Sequence, residues 1–551
     1  MGSGGFMEMM YDGALDAAAF RSYRGLRSAE KVESLVDGFR GLLTKNPPLE
    51  IEKNERVPEE VLKEMGAMGF FALSIPESYG GLGLSLWEYM AVVEKMAEMD
   101  LSVALISLGH LSIGVKGIVL YGDESQKEKY LRRAASGETI FAYALTEPRT
   151  GSDAKHIETV ATLSDDGKHY VLNGRKTYIT NANYAGAMTV FAQMDPKNPG
   201  CMGAFIVETN WDGVKIGKDM PKMGLRASST AAIQFQNVLV PKENLIGKPG
   251  DGFKIAVSIL SYGRLGLGAA SVGMMRRSSE DMLKRAASRM QFGVPIGSFQ
   301  LIQEKIVRTK VHGFISSAMN NFTAGLLESA PDANVAIETS HCKLFGTTRA
   351  WDATYDALQT AGGSGYIMSQ PYEERTRDWR VTTIFEGTSE IHSTYPAQLA
   401  LRRLGKEIAS LEGGKIGQWK ALFKKVIQKS YGAPMDFDEK TLTKALRFAK
   451  GTSRAIRVML AAGLALYGKK VFGMQFFLRR VTTLSLYAFG VLAATAKIAA
   501  DRAEGVSNPE ELHMLEYFLE EAREARKANR RILTSRKEKL SDLIYKESQS
   551  A

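Results

Sequence analysis

Two changes of hydrophobic period constrain this chain more than anything in its composition. Over residues 14–140 the apolar positions recur at helical spacing, most clearly across 86–108 and 112–121. Gly66, Gly69, Pro76, Gly80, Gly81 and Gly83 punctuate a connector between helical stretches. At Phe141 the pattern turns to short alternating runs at 169–172, 188–193, 203–208 and 231–235, which predict strands. Turn signals such as Asp165-Asp166-Gly167 and Asn173-Gly174 separate them. After Gly252 helical spacing returns, predicting helices over 253–260, 263–289, 299–328 and 333–361, with a last one ending at Leu404. The expectation is an α+β chain in which a β domain interrupts two helical ones.

At 551 residues the chain exceeds one core and predicts three or four domains. Its two cysteines, Cys201 and Cys342, fit no metal-ligand spacing and imply a reducing compartment; no metal site is expected. Charge is distributed unevenly. Residues 406–551 hold 27 basic and 16 acidic side chains, and the remainder holds 44 and 45. All the excess positive charge therefore sits in the tail, which suggests a separate partner surface. The first residues show neither a basic n-region with an apolar core nor an Arg-rich transit composition, so no targeting peptide is expected. No run looks like a convincing membrane span; the nearest approach, 481–496, reads as a buried helix.

Five stretches could carry chemistry. In 382–391 a single carboxylate, Glu386, stands between Phe385 and Gly387, ahead of Thr388, Ser389 and Glu390. Apolar neighbours strip hydration from a carboxylate, raise its pKa and make it a stronger base. The plain alternative is a surface Glu before a helix N-cap. Tyr143 to Asp153 is a strand end running into a loop rich in hydroxyls and backbone donors, able to grip a planar heterocycle or simply to turn. Tyr178-Ile179-Thr180 can lay an aromatic face and a hydroxyl beside a flat ring. Arg289, in the last turn of a helix predicted to stop at Gly293-Val294-Pro295, can answer the helix dipole or a phosphate. Gln359 to Tyr366 carries three glycines that permit close backbone approach, or merely cap a helix. No dinucleotide fingerprint and no Walker motif accompanies them.

In order along the chain stand Thr-Glu-Pro-x-x-Gly-Ser-Asp from Thr146, Ile-Thr-Asn from Ile179, Lys-Met-Gly-x-Arg-Ala-Ser from Lys222, Arg-x-x-Phe-Gly from Arg289, Gln-x-x-Gly-Gly-x-Gly from Gln359 and Phe-Glu-Gly-Thr from Phe385. This series resembles the acyl-CoA dehydrogenase family over residues 47–404, and with the helical extension it looks most like the very-long-chain branch. The resemblance implies an N-terminal extension (1–46), an N-terminal all-α domain (47–140), a middle β-barrel or sandwich (141–250), a C-terminal four-helix bundle (251–405) and an extra helical domain (406–551). It implies an FAD enzyme that dehydrogenates long-chain acyl-CoA to trans-2-enoyl-CoA in fatty acid β-oxidation. Electrons would go to an electron-transfer flavoprotein. Glu386 would be the base; the position that holds the base in a minority of the family is Gly263 here.

By the same resemblance, Tyr143, Leu145, Thr146, Gly151, Ser152, Tyr178, Ile179 and Thr180 would surround the flavin. Arg289, Gln291, Phe292, Gln300, Gln359, Gly362 and Gly363 would hold FAD partly across a homodimer interface. Thr388, Ser389 and Glu390 would touch its adenine half. Ser152, Ser261, Tyr262, Arg264, Phe385 and Gly387 would face acyl-CoA, and the small residues Ser102 and Ala104 would line the acyl cavity. Tyr178 departs from the family, which usually has Trp there. Two other readings are an acyl-CoA oxidase and a membrane-associated scaffold on the same fold.

In the tail, 415–429 places Ile416, Trp419, Leu422, Phe423, Val426 and Ile427 on one helical face and five lysines on much of the rest. Such a helix fits a membrane interface. Residues 441–500 add ten basic and no acidic side chains, so peripheral membrane contact through 415–500 is expected. No nucleic-acid motif appears. The corresponding location is the cytoplasm at the inner face of a bacterial membrane, or the mitochondrial matrix and inner membrane.

Overall fold

The structure, a computed structural model, describes residues 5–12, 23, 29–195, 197–198, 200–410, 417, 437 and 439–550. The basic stretch 415–429 lies outside the described residues apart from Gly417. The chain divides into two compact units, one of residues 26–310 and 346–387, the other of residues 1–25, 311–345 and 388–551. Numbered along the chain, helix α1 (Phe6–Tyr11) falls in the second of these.

The first unit opens with helices α2 (Ala29–Lys45), α3 (Pro48–Lys53) and α4 (Glu59–Ala67). Helix α5 (Leu86–Met99) starts at a reciprocal cap: Ser85 N–H donates to Glu88 Oε2 at 2.8 Å, and Glu88 N–H donates to Ser85 Oγ at 3.3 Å. Asp100 then ends α5 and caps α6 (Leu101–Leu108), accepting Val103 N–H at 2.7 Å. A π-helical turn, Gly109–Gly114, leads into α7 (Lys116–Tyr121) and α8 (Glu124–Ala135).

The β segment folds as one eight-stranded mixed sheet in the order β6-β7-β3-β2-β4-β5-β8, with β1 beside β4. The strands are β1 (Ile140–Ala144), β2 (Val160–Leu163), β3 (His169–Thr180), β4 (Ala185–Gln193), β5 (Met202–Glu208), β6 (Val214–Ile216), β7 (Thr230–Pro241) and β8 (Leu245–Ile246). β3 and β7 outrun the sequence expectation, because their outer residues face solvent and break the apolar alternation that marks a strand. The β3–β7 register shifts between Lys176 and Ile179, placing a bulge just before Thr180.

Helix α9 (Gly252–Ser288) is continuous for 37 residues, where the sequence predicts a break before Gly263. Its glycines are packing positions. A Cβ on Gly266 would stand 2.7 Å from Leu108 Cδ1, and one on Gly273 would collide with the Glu94 carbonyl oxygen. Arg289 is the residue after the helix rather than part of its last turn. A short hairpin, β9 (Met290–Gln291) with β10 (Val294–Pro295), follows. Then come α10 (Gln300–Ser329), α11 (Ala336–Ala361) and α12 (Tyr372–Arg380).

In the second unit, α13 (Ser389–Ala409), α14 (Lys440–Tyr467), α15 (Gln475–Ala503), α16 (Pro509–Asn529) and α17 (Arg536–Ser550) join α1 and the 311–345 segment. Residues 530–535 separate α16 from α17. Buried contacts tie this unit together. Met7 N–H donates to Glu338 at 2.7 Å, His341 pairs with Ser485 at 2.7 Å, and the Phe6 ring meets Phe322 at 4.7 Å.

Contrary to the sequence expectation, three helical stretches are long and apolar enough to cross a membrane: Leu101–Tyr121, Gly252–Ser288 and Gln475–Ala503. Their apolar windows are 83%, 78% and 72% buried inside the protein, so packing within the fold accounts for their composition. Residues 481–496 lie within the last and are largely buried, as expected.

Candidate active site

Glu386 sits in the short loop between the 3₁₀ turn Val381–Thr383 and α13. Its φ is +57°, and Gly387 follows at +95°. A side chain in the left-handed region costs roughly 1–3 kcal/mol and persists only where its surroundings hold it. Here the hold comes from α9. Arg264, 8% exposed, donates from Nε to the Glu386 carbonyl oxygen at 3.4 Å. A Cβ on the preceding residue, Gly263, would stand 3.0 Å from Glu386 Cδ and 3.1 Å from Oε1. The carboxylate therefore occupies the space a side chain at 263 would take.

The carboxylate borders a cavity of about 30 Å³ lined by Leu105, Leu108, Ser112, Thr180, Leu267 and Phe385, together with Gly109, Ile113 and Gly263. Thus the structure gathers Glu386, Phe385 and Thr180 around one small apolar space beside Arg264. Tyr143 stands close enough to feel the same charges. Burial raises its phenol well above the ordinary value, and the Glu386 charge raises it further while Arg264 opposes. Tyr143 remains a protonated hydroxyl. Ser102 and Ala104 are not in this lining; Ser102 donates to Asp378 at 3.2 Å, and the cavity wall on α6 is Leu105 and Leu108. Ser261 is buried and bonds its own helix at Val257 O, 3.3 Å away. Tyr262 is half-buried, with Lys116 Nζ 4.9 Å from its ring centre.

The strand ends around this cavity are shaped by groups that sequence inspection passed over. Lys176 and Glu147 form a buried ion pair at 2.7 Å, 0% and 2% exposed. Lys176 also donates to Leu145 O at 3.1 Å, and Thr177 N–H donates to Thr146 O at 2.9 Å. Glu147 accepts the backbone N–H groups of Glu158 and Thr159. The Leu145–Thr146 segment is thereby fastened to β3. Glu147 was visible inside a motif, but nothing local marks Lys176 as buried. Opposite, His110 in the π turn accepts Phe141 N–H on Nδ1 at 2.9 Å and contacts Phe71 O through Nε2 at 3.2 Å. Burial lowers its pKa to about 4, so it is neutral at physiological pH. Asn181, φ +64°, donates to Ile106 O at 3.0 Å, tying the end of β3 to α6.

Tyr178, at φ +57° and 67% exposed, projects from the bulge, with Ile179 buried beside it. Gly151 and Ser152 are exposed, and a Cβ on Gly151 would meet nothing within 4 Å.

The remaining predicted residues form a different group. Arg289, Gln291, Phe292 and Gln300 lie exposed beyond the far end of α9. At 1.5 Å per residue, Gly263 and the end of α9 at Ser288 are about 38 Å apart along the axis. One chain cannot bring them to Glu386. They lie instead near the exposed Gln359, Gly362 and Gly363, since Arg285 donates to Ala361 O at 3.2 Å. Thr388 caps α13, accepting Ile391 N–H at 3.4 Å, and Ser389 and Glu390 form its first turn in the other unit.

Three domain families match the chain: acyl-CoA dehydrogenase, N-terminal domain over residues 30–138, middle domain over 142–238 and C-terminal domain over 250–399. The very long-chain specific acyl-CoA dehydrogenase of Macaca fascicularis is 37% identical, the match covering 74% of this chain and 63% of that protein. A probable acyl-CoA dehydrogenase of Bacillus subtilis is 35% identical, with 84% of this chain and 79% of that one covered. Among solved structures, an acyl-CoA dehydrogenase complexed with FAD from Bacillus anthracis superposes with a TM-score of 0.81 at 29% identity, covering 96% of this chain and 91% of its own. The helical, β-sheet and helical domains are those of one fold, and the chain belongs to the acyl-CoA dehydrogenase family, whose members are FAD-dependent oxidoreductases.

Proposed function

We propose that this protein dehydrogenates long- or very-long-chain fatty acyl-CoA to the trans-2-enoyl-CoA, with Glu386 as the base, and passes electrons to an electron-transfer flavoprotein. The observation that carries this reading is the Glu386 carboxylate at an apolar cavity, in the space left by Gly263. The relatives specific for very long chains support the chain-length class.

The residues present fit FAD. Tyr178 offers an exposed aromatic face, Thr180 lines the Glu386 cavity, and Gly151 leaves its neighbourhood open. Tyr143, Leu145, Thr146, Gly151, Ser152, Tyr178, Ile179 and Thr180 would hold the flavin end. When bound, FAD supplies the acceptor for the β-hydride. Arg289, Gln291, Phe292, Gln300, Gln359, Gly362 and Gly363 would hold the rest from a second copy, because the length of α9 keeps them from their own Glu386. The homodimer follows from this arrangement. Thr388, Ser389 and Glu390 would lie by the adenine half.

A thioester α-proton is too weakly acidic for a carboxylate unless negative charge on the carbonyl oxygen is stabilised. The backbone N–H of Glu386 would donate to that oxygen; one such donor in a dry site contributes roughly 3–4 kcal/mol. Leu105, Leu108, Leu267 and Phe385 exclude water, and Arg264 fixes the loop through the Glu386 carbonyl. Ser152, Ser261, Tyr262, Arg264 and Gly387 would face the acyl-CoA. We place the protein in a reducing interior compartment, with peripheral membrane contact through its basic tail.

The test is the Glu386→Gln protein under anaerobic conditions. It should retain FAD while flavin reduction by acyl-CoA falls about 10²–10⁴-fold, the span of a general base. Near-normal reduction would overturn the assignment.

A further inference from the structure

In the second unit, α14 and α16 border a cleft of about 550 Å³. Gly451, Arg454 and Val458 lie on its α14 side. Arg526, in the last turn of α16, lies on the other, with Arg530 and Ile532 just beyond the helix. Arg454 and Val458 are one turn apart, and so are Arg526 and Arg530, so each pair shares a face. Three guanidinium side chains therefore line one cleft. Among the described residues, no carboxylate lines it.

Arg526 is held in place without a counterion. Its guanidinium carbon stands 4.7 Å from the centre of the Phe448 ring, and Nη1 donates to Thr452 Oγ1 at 3.5 Å. A Cβ on Gly451 would already touch that Nη1 at 3.4 Å. Burial first, and then the charges of Arg530 and Arg523, push the Arg526 pKa down, so the charges it feels are cations. Arg523 has Glu520 as its own partner. Arg454 and Arg530 are exposed and have no ion pair or side-chain hydrogen bond among the described residues. The last turn of a helix attracts cations, which accounts for Arg526 and Arg530. It does not account for Arg454, which comes from the middle of α14 and adds a third like charge. An anion among the three replaces repulsion by attraction. Guanidinium groups match phosphate oxygens in a two-pronged geometry.

We propose that this cleft binds a phosphomonoester joined to an apolar group. Arg454, Arg526 and Arg530 hold the phosphate, and the apolar part lies on Val458 and Ile532. A phosphomonoester carries close to two negative charges at neutral pH, which suits three cations. The headgroup of phosphatidic acid and soluble phosphomonoesters share this chemistry. The inference does not depend on Glu386 as a base. In its lipid form it gives the proposed membrane contact a defined headgroup site.

The experiment uses the full-length, FAD-loaded protein and two probes. Phenyl phosphate is followed by calorimetry, and mixed vesicles of phosphatidylcholine and phosphatidic acid are followed by flotation. At least one probe should bind. Arg454→Gln and Arg530→Gln should each weaken that binding about tenfold, as loss of one charge-assisted contact does, and the pair together about 100-fold. A control pair, Lys469→Gln with Lys470→Gln, removes the same charge from exposed positions outside the cleft and should have little effect. All these side chains are exposed, so acyl-CoA dependent flavin reduction should stay at the parent level. Arginine-dependent binding of phenyl phosphate identifies a soluble ligand; the same dependence seen with the vesicles alone identifies the lipid headgroup. Binding of neither probe, binding that ignores the arginine pair, or equal weakening by the arginine and lysine pairs overturns the inference and reduces the cleft to diffuse positive charge. The assignment of Glu386 stands in each of these cases, because flavin reduction tests it separately.

Discussion

The Glu386 carboxylate fills the place where a side chain on Gly263 would begin: the missing Cβ would lie 3.0 Å from Glu386 Cδ. That distance is shorter than ordinary van der Waals contact, so a side chain at 263 would push the Glu386 carboxylate from its place. Gly263→Ala should therefore displace the Glu386 side chain or its loop and lower anaerobic flavin reduction by acyl-CoA about tenfold or more, with FAD content unchanged, since a misplaced base costs on the order of 10²-fold. An unaltered rate would show that the approach to Gly263 is not needed.

The Lys176–Glu147 pair holds the Leu145–Thr146 segment against β3 from a fully buried position. Removing one partner of such a pair strands the other charge and costs about 3–5 kcal/mol. Lys176→Met should lower the urea midpoint strongly. A double replacement, Lys176→Met with Glu147→Leu, should recover much of the loss, because no unpaired charge remains.

His110 links stability to pH. Its folded pKa of about 4 lies below the ordinary 6.5 because burial penalises the cation. The unfolded chain therefore binds the extra proton first, and stability falls as pH drops through the window between those values. From about pH 7 to about pH 5 the contribution lost is about 2 kcal/mol. In His110→Gln the unfolding free energy, followed by denaturant titration at both pH values, should fall by less than in the parent.

Phe292, 93% exposed at φ +51°, has its ring 6.1 Å from Phe299, and Met290 and Leu301, nearby in the chain, are exposed too. Aromatic and aliphatic side chains displayed together are what the proposed homodimer interface would cover. Phe292→Asp should shift the protein toward monomer in sedimentation velocity and lower its FAD content. A stable dimer with full FAD would exclude this surface.

Much of the architecture was legible in the chain. The change at Phe141 marks the first residues of β1 because strand alternation is local, and the return of helical spacing marks α9 within a residue. The ordered motifs singled out Glu386 and Thr180, which meet at one cavity, and the family resemblance named Arg264, which lies beside it. The same reading split α9 at its glycines, since intrinsic propensity counts glycine against a helix. In the fold those glycines are where Leu108 and the backbone of α5 come close.

By itself, then, the sequence determined the succession of elements, their caps and the residue types available for chemistry, because periodicity, capping and motif spacing act over a few residues. Tertiary structure alone decided that Lys176 is buried on Glu147, that Gly263 makes room for Glu386, and that Arg289 stands beyond the far end of a long helix from the base. Each of these depends on what lies across a helix or strand interface, where burial and steric exclusion join residues far apart in the chain.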